Sequence, residues 1–311
     1  MTKSKKIFVG NYKGGVGKTT SIYQIALHMV ESGKKVLLID LDPQCSLSEI
    51  CLARINFDLE KLQPNECLNY VYDMWHQIKR FPSLQVTIDK KPLIKQTVEG
   101  VHFIPSNTFY VNGGLDDLAL KLKDDFYDLL PLQQFFESSV LERDFDYILF
   151  DCPPSNNIIT QGAFLLSDYY VIPSIIQTMS VRGVVHYITT VEKIYQRKCV
   201  EHENAMLAQL LFGPVPELLG IFETLKKGLV KNVEVMNELK EDLKKAKVKT
   251  QLSTPHEEKF VFDTIIKNYE KIARSTADGE KSEEYKELTY ELLACIEREP
   301  LRTLAIIGEK K

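Results

Sequence analysis

The chain has 311 residues, 44% of them hydrophobic and 26% charged, and carries a formal net charge of −4. Such a length and balance provide for a buried core and exclude wholesale disorder. The slight acidic excess excludes a uniformly basic nucleic-acid coat but leaves room for a local basic patch.

Cysteines stand at 45, 51, 67, 152, 199 and 295, with no C-x-x-C pair and no histidine at metal-ligand spacing. That pattern speaks against a zinc or disulfide framework and suits a reducing cytoplasm. No leading apolar run reads as a signal peptide, and the longest weakly charged apolar stretch, residues 204–216, is too short to span a bilayer. A soluble cytoplasmic protein is expected.

Residues 7–10 form a short apolar run that enters a glycine-rich turn. A helix is predicted over residues 19–31, with Ile22, Ile25, Ala26, Met29 and Val30 on one face and Gly33 as its stop. Residues 36–39, Val-Leu-Leu-Ile, read as a strand buried on both faces of a parallel sheet. Residues 101–104 and 147–150 are further strands, flanking helical sequence from about 115 to 141. A strand at 169–176, a helix at 184–195 and a strand at 218–225 continue the alternation. From 231 onward the sequence reads as largely helical, with residues 285–296 a packed terminal helix. The alternation predicts an α/β fold, a mostly parallel twisted sheet with helices on both faces. One domain over residues 1–311 is expected, with residues 54–99 an insertion carrying short helices.

The segment Lys13-Gly14-Gly15-Val16-Gly17-Lys18-Thr19-Thr20 lies between the first strand and the first helix. It is a variant of the pattern G-x-x-x-x-G-K-[ST], because Asn11 or Tyr12 stands near the first-glycine position. Glycines let backbone N–H groups close around phosphate oxygens, the helix N-terminus adds partial positive charge, and Lys18 adds a full one. Thr19 offers a hydroxyl to Mg²⁺. A glycine-rich turn with a chance lysine is the simpler alternative. The strand before it, the helix after it and three downstream carboxylates favour nucleotide binding.

Asp40 and Asp42 lie two apart at the end of the second strand and share a side if that strand continues. Asp151 closes the strand at 147–150. Any one of them alone reads as a cap or turn residue. Three carboxylates at strand ends beside a phosphate loop mark a place for Mg²⁺ or its waters.

Together KGGVGKTT, VLLIDLDPQ and DYILFDCPPS resemble the ParA/Soj branch of the ParA/MinD superfamily, the deviant-Walker P-loop ATPases. The likeness is tight over residues 6–48 and 145–173 and looser elsewhere, with departures at residues 177–182, after Thr224, and at 253–255. It implies ATP and Mg²⁺ as ligands, held by residues 13–20, with Lys18 on the β- and γ-phosphates of its own nucleotide. Lys13 is implied as the signature lysine that reaches across a homodimer. Thr19 would ligate the metal, Asp151 would hold it through water, and Asp40 would support its shell. Asp42 would orient or activate the attacking water.

ATP-dimerised relatives commonly bind DNA without sequence preference, alongside a ParB-like centromere-binding protein. Candidate DNA contacts here are Arg197, Lys198, Lys226, Lys227 and Lys231. The stretch 226–249 holds eight basic residues against four acidic ones, a run that is otherwise a solvated helix face. Partition of plasmid or chromosomal DNA at the nucleoid is the implied function, and positioning of a protein cargo is the alternative. A helix-turn-helix domain ahead of the loop, and with it direct operator reading, is not expected. The tail shows no basic amphipathic face for a membrane. A metabolic enzyme of the same fold fits less well, since iron–sulfur relatives need cysteines paired across a dimer and Cys152 reads as a packing residue.

Overall fold

The computed structural model describes residues 3–78, 87–122, 125–175, 178–226, 233–250, 261–267 and 269–297. In chain order its first elements are β1 (Lys5–Val9), α1 (Lys18–Glu31), β2 (Val36–Asp40) and α2 (Ser46–Ala53). Two 3-10 turns lead to α3 (Asn69–Ile78), β3 (Lys95–Gln96), β4 (His102–Ile104), α4 (Leu115–Lys121) and α5 (Pro131–Ser139). Then come β5 (Tyr147–Asp151), α6 (Ile158–Leu166), β6 (Tyr169–Ser174), α7 (Thr178–Tyr195) and α8 (Ala205–Phe212). The last elements are β7 (Glu217–Lys226), α9 (Val233–Thr250), β8 (Val261–Lys267), α10 (Tyr269–Ala277) and α11 (Glu283–Glu297).

The strands form one eight-stranded sheet in the order β3-β4-β2-β5-β1-β6-β7-β8. Only β3, at the edge, runs antiparallel to its neighbour. Side chains alternate across each strand, so Phe8 faces one apolar layer while Ile7 and Val9 face the other. Phe150 and Leu149 divide in the same way. The first layer is covered by α3 to α9 and the second by α1, α2, α10 and α11. Central strands buried on both faces read as continuous apolar runs, which is why β2 and β5 were legible from sequence.

Four local expectations need correction. Strand β2 stops at Asp40, so Asp42 lies in the following loop and is not a strand neighbour of Asp40. The helical region expected at 115–141 is two helices joined through a 3-10 turn. Pro131 takes the first position of α5, where its missing N–H costs nothing, and Val140, in the left-handed region at φ 53°, ends that helix. The C-terminal part is not wholly helical, because β8 enters the sheet beside β7. The segment 54–99 carries the edge strand β3 as well as helical turns.

Helix α1 is buried on both sides. Ile22, Ile25, Ala26 and Met29 pack on the sheet, as expected. Its opposite side carries Ser21, Gln24 and His28, which bond to the C-terminal helices and the turn between them. Ser21 Oγ and Tyr285 Oη lie 2.7 Å apart, Gln24 Nε2 donates to Thr276 Oγ1 at 2.9 Å, and a ring nitrogen of His28 lies 2.8 Å from the Ser282 carbonyl. The helix that follows the phosphate loop is therefore clasped from behind by α10, α11 and the turn between them.

Gly10 joins β1 to that loop in a place with no room for a side chain. A Cβ there would collide with the Tyr187 hydroxyl and the Phe8 ring, both buried. At Gly14 a Cβ would meet nothing within 4 Å. Gly10→Ala is expected to cost about 1–3 kcal/mol of stability in urea unfolding, and Gly14→Ala close to nothing.

Candidate functional site

Parallel strands place their C-terminal ends along one edge of the sheet, and the loops leaving those ends meet there. The loop after β1 is built for an anion. Gly15 and Gly17 have φ of 71° and 83°, a backbone region glycine enters freely. Gly17 occupies the N-cap of α1 with no side-chain cap, which leaves the first amides of that helix for a ligand.

The loop is held at three points. Asn11 donates from Nδ2 to the Pro173 carbonyl at 2.9 Å, and its Oδ1 accepts the Lys13 amide at 2.9 Å. Thr224 Oγ1, on β7, donates to the Val16 carbonyl at 2.9 Å. Tyr12, near the position of the first glycine, packs edge-on against Tyr187 with centroids 4.7 Å apart.

The two lysines are treated differently. Lys18 is 7% exposed, and its Nζ donates to the Asn11 carbonyl at 3.2 Å and the Lys13 carbonyl at 3.3 Å. Burial pulls its ammonium below the ordinary lysine range, with the carboxylates of Asp151 and Asp42 working the other way. Lys13 is exposed, and among the described residues its ammonium has no partner.

The carboxylates come next. In the parallel register Asp40 of β2 stands opposite Asp151 of β5, which in turn stands opposite Val9 of β1. Asp40 is buried, and both its oxygens are engaged. Oδ1 accepts the Asp42 amide at 3.0 Å, while Oδ2 accepts the Ser48 amide at 2.9 Å and the Ser48 hydroxyl at 2.5 Å. Asp151 is equally buried, yet neither of its oxygens has a hydrogen-bond partner among the described residues. Burial is the main force raising Asp151 well above the carboxylate range, and the charges of Asp40 and Asp42 add to it. The nearby Thr19 hydroxyl and the Lys18 ammonium oppose that rise. Burial likewise raises Asp40 to about 6, against the bonds from Ser48. Asp42, half-buried, accepts the Gln44 amide at 3.0 Å.

A buried carboxylate with two bare oxygens is costly unless a cation or donor arrives. Asp151 and the Thr19 hydroxyl are hard oxygen donors, the kind Mg²⁺ takes, and the residues fit that ion. Among the described residues no group of three or more His, Cys, Asp or Glu forms a metal cage. An incomplete donor set suits a cation that keeps waters and arrives with substrate phosphates. Asp40, with both oxygens taken, is placed to hold the Asp42 loop and not to reach a metal.

The six cysteines are buried and free, and Cys152 is packed in the larger apolar layer. No helix among the described residues is long and apolar enough to cross a membrane. Of the basic candidates, Arg197 is exposed and Lys198 half-buried on a π-turn that follows α7. Lys227 and Lys231 lie outside the described residues, and Lys226 is described only as the backbone end of β7. Helix α9 packs along α7, so the two basic stretches share one helical layer. Within α9, Lys244 pairs with Glu241 at 3.6 Å and Lys245 with Asp242 at 3.5 Å. The roles of Asn11, Ser48, Ser106 and Thr224 were not read from sequence.

A carboxyl whose folded pKa exceeds its unfolded value of about 4 holds its proton more tightly in the native state, so stability falls as pH rises through that window. Asp151→Asn removes this loss. Without nucleotide or divalent cation, the variant is expected to melt at a higher temperature than wild type at about pH 7.5, with its advantage shrinking toward about pH 4. A difference independent of pH would contradict the assignment.

The family model described as an AAA domain matches residues 4–206. The sporulation initiation inhibitor protein Soj of Bacillus subtilis is 31% identical over 191 residues, covering 61% of this chain and 66% of that protein. The match thus spans just under two thirds of that relative's length. Among solved structures, an ATP complex of Cyanothece McdA superposes with a TM-score of 0.68 at 17% identity, covering 97% of this chain and all of the other. A plasmid partition protein from Borrelia burgdorferi bound to AMPPNP gives 0.63 at 21% identity, covering 94% and 98% of the two chains. At such identities the two structures speak for the fold alone. With the family model covering residues 4–206, Soj 31% identical over 191 residues and both lysines present in the phosphate loop, the chain belongs to the ParA/Soj branch of the ParA/MinD superfamily.

Proposed function

We propose that this protein binds ATP with Mg²⁺, pairs face to face with a second copy in the ATP state, and hydrolyses the nucleotide slowly. The cycle would partition plasmid or chromosomal DNA at the nucleoid, with a ParB-like centromere-binding protein stimulating turnover. The observation that carries this reading is the contrast between the two lysines. Lys18 is folded down onto its own loop, while Lys13 has a fixed backbone and an exposed ammonium. A cation presented outward from a phosphate loop is suited to a nucleotide held by another subunit.

The chain's own groups divide the work. The amides of residues 14–20 cradle the phosphates, and Lys18 exchanges its two carbonyl contacts for β- and γ-phosphate oxygens. Thr19 and Asp151 would hold the metal, Asp151 through water. When bound, Mg²⁺ neutralises charge on the phosphate oxygens. Asp42 orients the attacking water and draws its proton as oxygen adds to the γ-phosphorus and the β–γ bridging oxygen leaves with ADP. Lys13 of each copy supplies positive charge to the phosphates facing it. Only the paired state makes that contact, so ATP favours the dimer and its loss releases it.

DNA binding would fall to the layer of α7 and α9, where a dimer doubles a basic surface and gives strongly salt-dependent, sequence-indifferent affinity. A second reading, a protein cargo, is favoured by the pairing of Lys244 and Lys245 with acidic residues of the same helix. Arbitrary duplex DNA, tested with ATP, ADP or no nucleotide over a salt series, separates the two. ATP-dependent binding that weakens steeply with salt supports partition. Dimerisation without DNA binding supports a protein cargo.

Lys18→Ala is expected to abolish ATP binding. Lys13→Ala is expected to keep nucleotide binding in the monomer, lose ATP-dependent dimerisation in light scattering, and slow turnover by about a hundredfold or more. Unchanged hydrolysis by Lys13→Ala would overturn the role given to that lysine.

A further inference from the structure

Strand β2 ends at Asp40, so the peptide of Asp42 lies beyond the sheet's ladder and needs another source of order. A closed ring of hydrogen bonds provides it. The Ser106 amide donates to Ser48 Oγ at 2.8 Å. The Ser48 hydroxyl donates in turn to Asp40 Oδ2 at 2.5 Å, beside the Ser48 amide on the same oxygen at 2.9 Å. Asp40 Oδ1 accepts the Asp42 amide at 3.0 Å. The ring closes where the Ser106 hydroxyl reaches the Asp42 carbonyl at 3.3 Å, beside the Cys45 amide, which donates to the same carbonyl at 2.9 Å; Cys45 Sγ also lies 3.3 Å from that hydroxyl.

Both serines are fully buried, so water does not compete for these bonds. A hydroxyl has one proton to give, and the charge on Asp40 claims that of Ser48. Ser48 Oγ must then accept, which fixes the direction of the chain from Ser106. The ring joins the end of β2, the start of α2 and the residues just past β4, and it grips Asp42 by both its N–H and its C=O. The Asp42 carboxylate is steadied separately by the Gln44 amide.

We infer that Ser48 and Ser106 are positioning residues for hydrolysis, which act by holding the Asp42 peptide so that its carboxylate meets the attacking water. The inference rests on the role proposed above for Asp42. Small displacements of a reacting group cost large factors in rate, so Ser106→Ala is expected to lower kcat by about ten- to a hundredfold and leave the Kd for ATP unchanged. Ser48→Ala is expected to do the same, and replaces it should Ser106→Ala not fold.

Two readouts separate positioning from general support of the fold. Hydrogen exchange at the Asp42 amide should speed up in either variant in the nucleotide-free protein. In an Asp42→Asn background, Ser106→Ala should cause no further loss of kcat, because the group it positions is already gone. An equal loss in both backgrounds, an unchanged kcat in the single variants, or unaltered exchange at Asp42 would overturn the inference. If Asp42→Asn hydrolyses ATP as fast as wild type, the assigned role of Asp42 fails, and the positioning role falls with it.

Discussion

Two aspartates buried side by side at adjacent strand ends set the terms for everything around them. Their register in the parallel sheet leaves no freedom in the matter, since β2 and β5 align Asp40 with Asp151. Two negative charges at such close quarters, out of water, resist ionising together. The fold resolves this asymmetrically. Asp40 is given three protein donors, and Asp151 is given none. What is left at Asp151 is unfilled demand for positive charge, placed beside a phosphate loop and the start of α1.

That demand gives the surrounding architecture its logic. A loop that must hold two lysines and a row of open amides has little packing of its own, so it is pinned from outside. Asn11 ties it to β6, Thr224 ties it to β7, and α1 behind it is clasped by α10 and α11. Binding can then change the loop's partners without moving its frame, and Lys18 already rests on carbonyl groups that it can exchange for phosphate.

Much of this was legible in the chain. Strands buried on both faces announce themselves as unbroken apolar runs, and the glycines and lysines of residues 13–20 mark the loop by residue type and spacing. What escaped was mostly non-local. Thr224 and Val16 are 208 positions apart, and nothing local in either segment signals their bond. The ring from Ser106 through Ser48 joins three elements, and its serines look like ordinary loop residues. Other misses were local signals given too little weight. Pro131 should have broken the helix expected across it. The β-branched run of β8, Val261-Phe262-Asp263-Thr264-Ile265-Ile266-Lys267, should have stood out from its helical surroundings. Pro43 has no N–H to give a central ladder, a sign that β2 would end before it.

Asp151, whose two oxygens are bare, is the group proposed to hold the divalent cation through water. Calorimetric titration of ATP, with and without Mg²⁺, into wild type and Asp151→Asn measures that directly. Wild type should gain about tenfold or more in affinity from Mg²⁺, and the variant should gain little. The same gain in both proteins would contradict the account, because the cation would then owe nothing to the buried carboxylate.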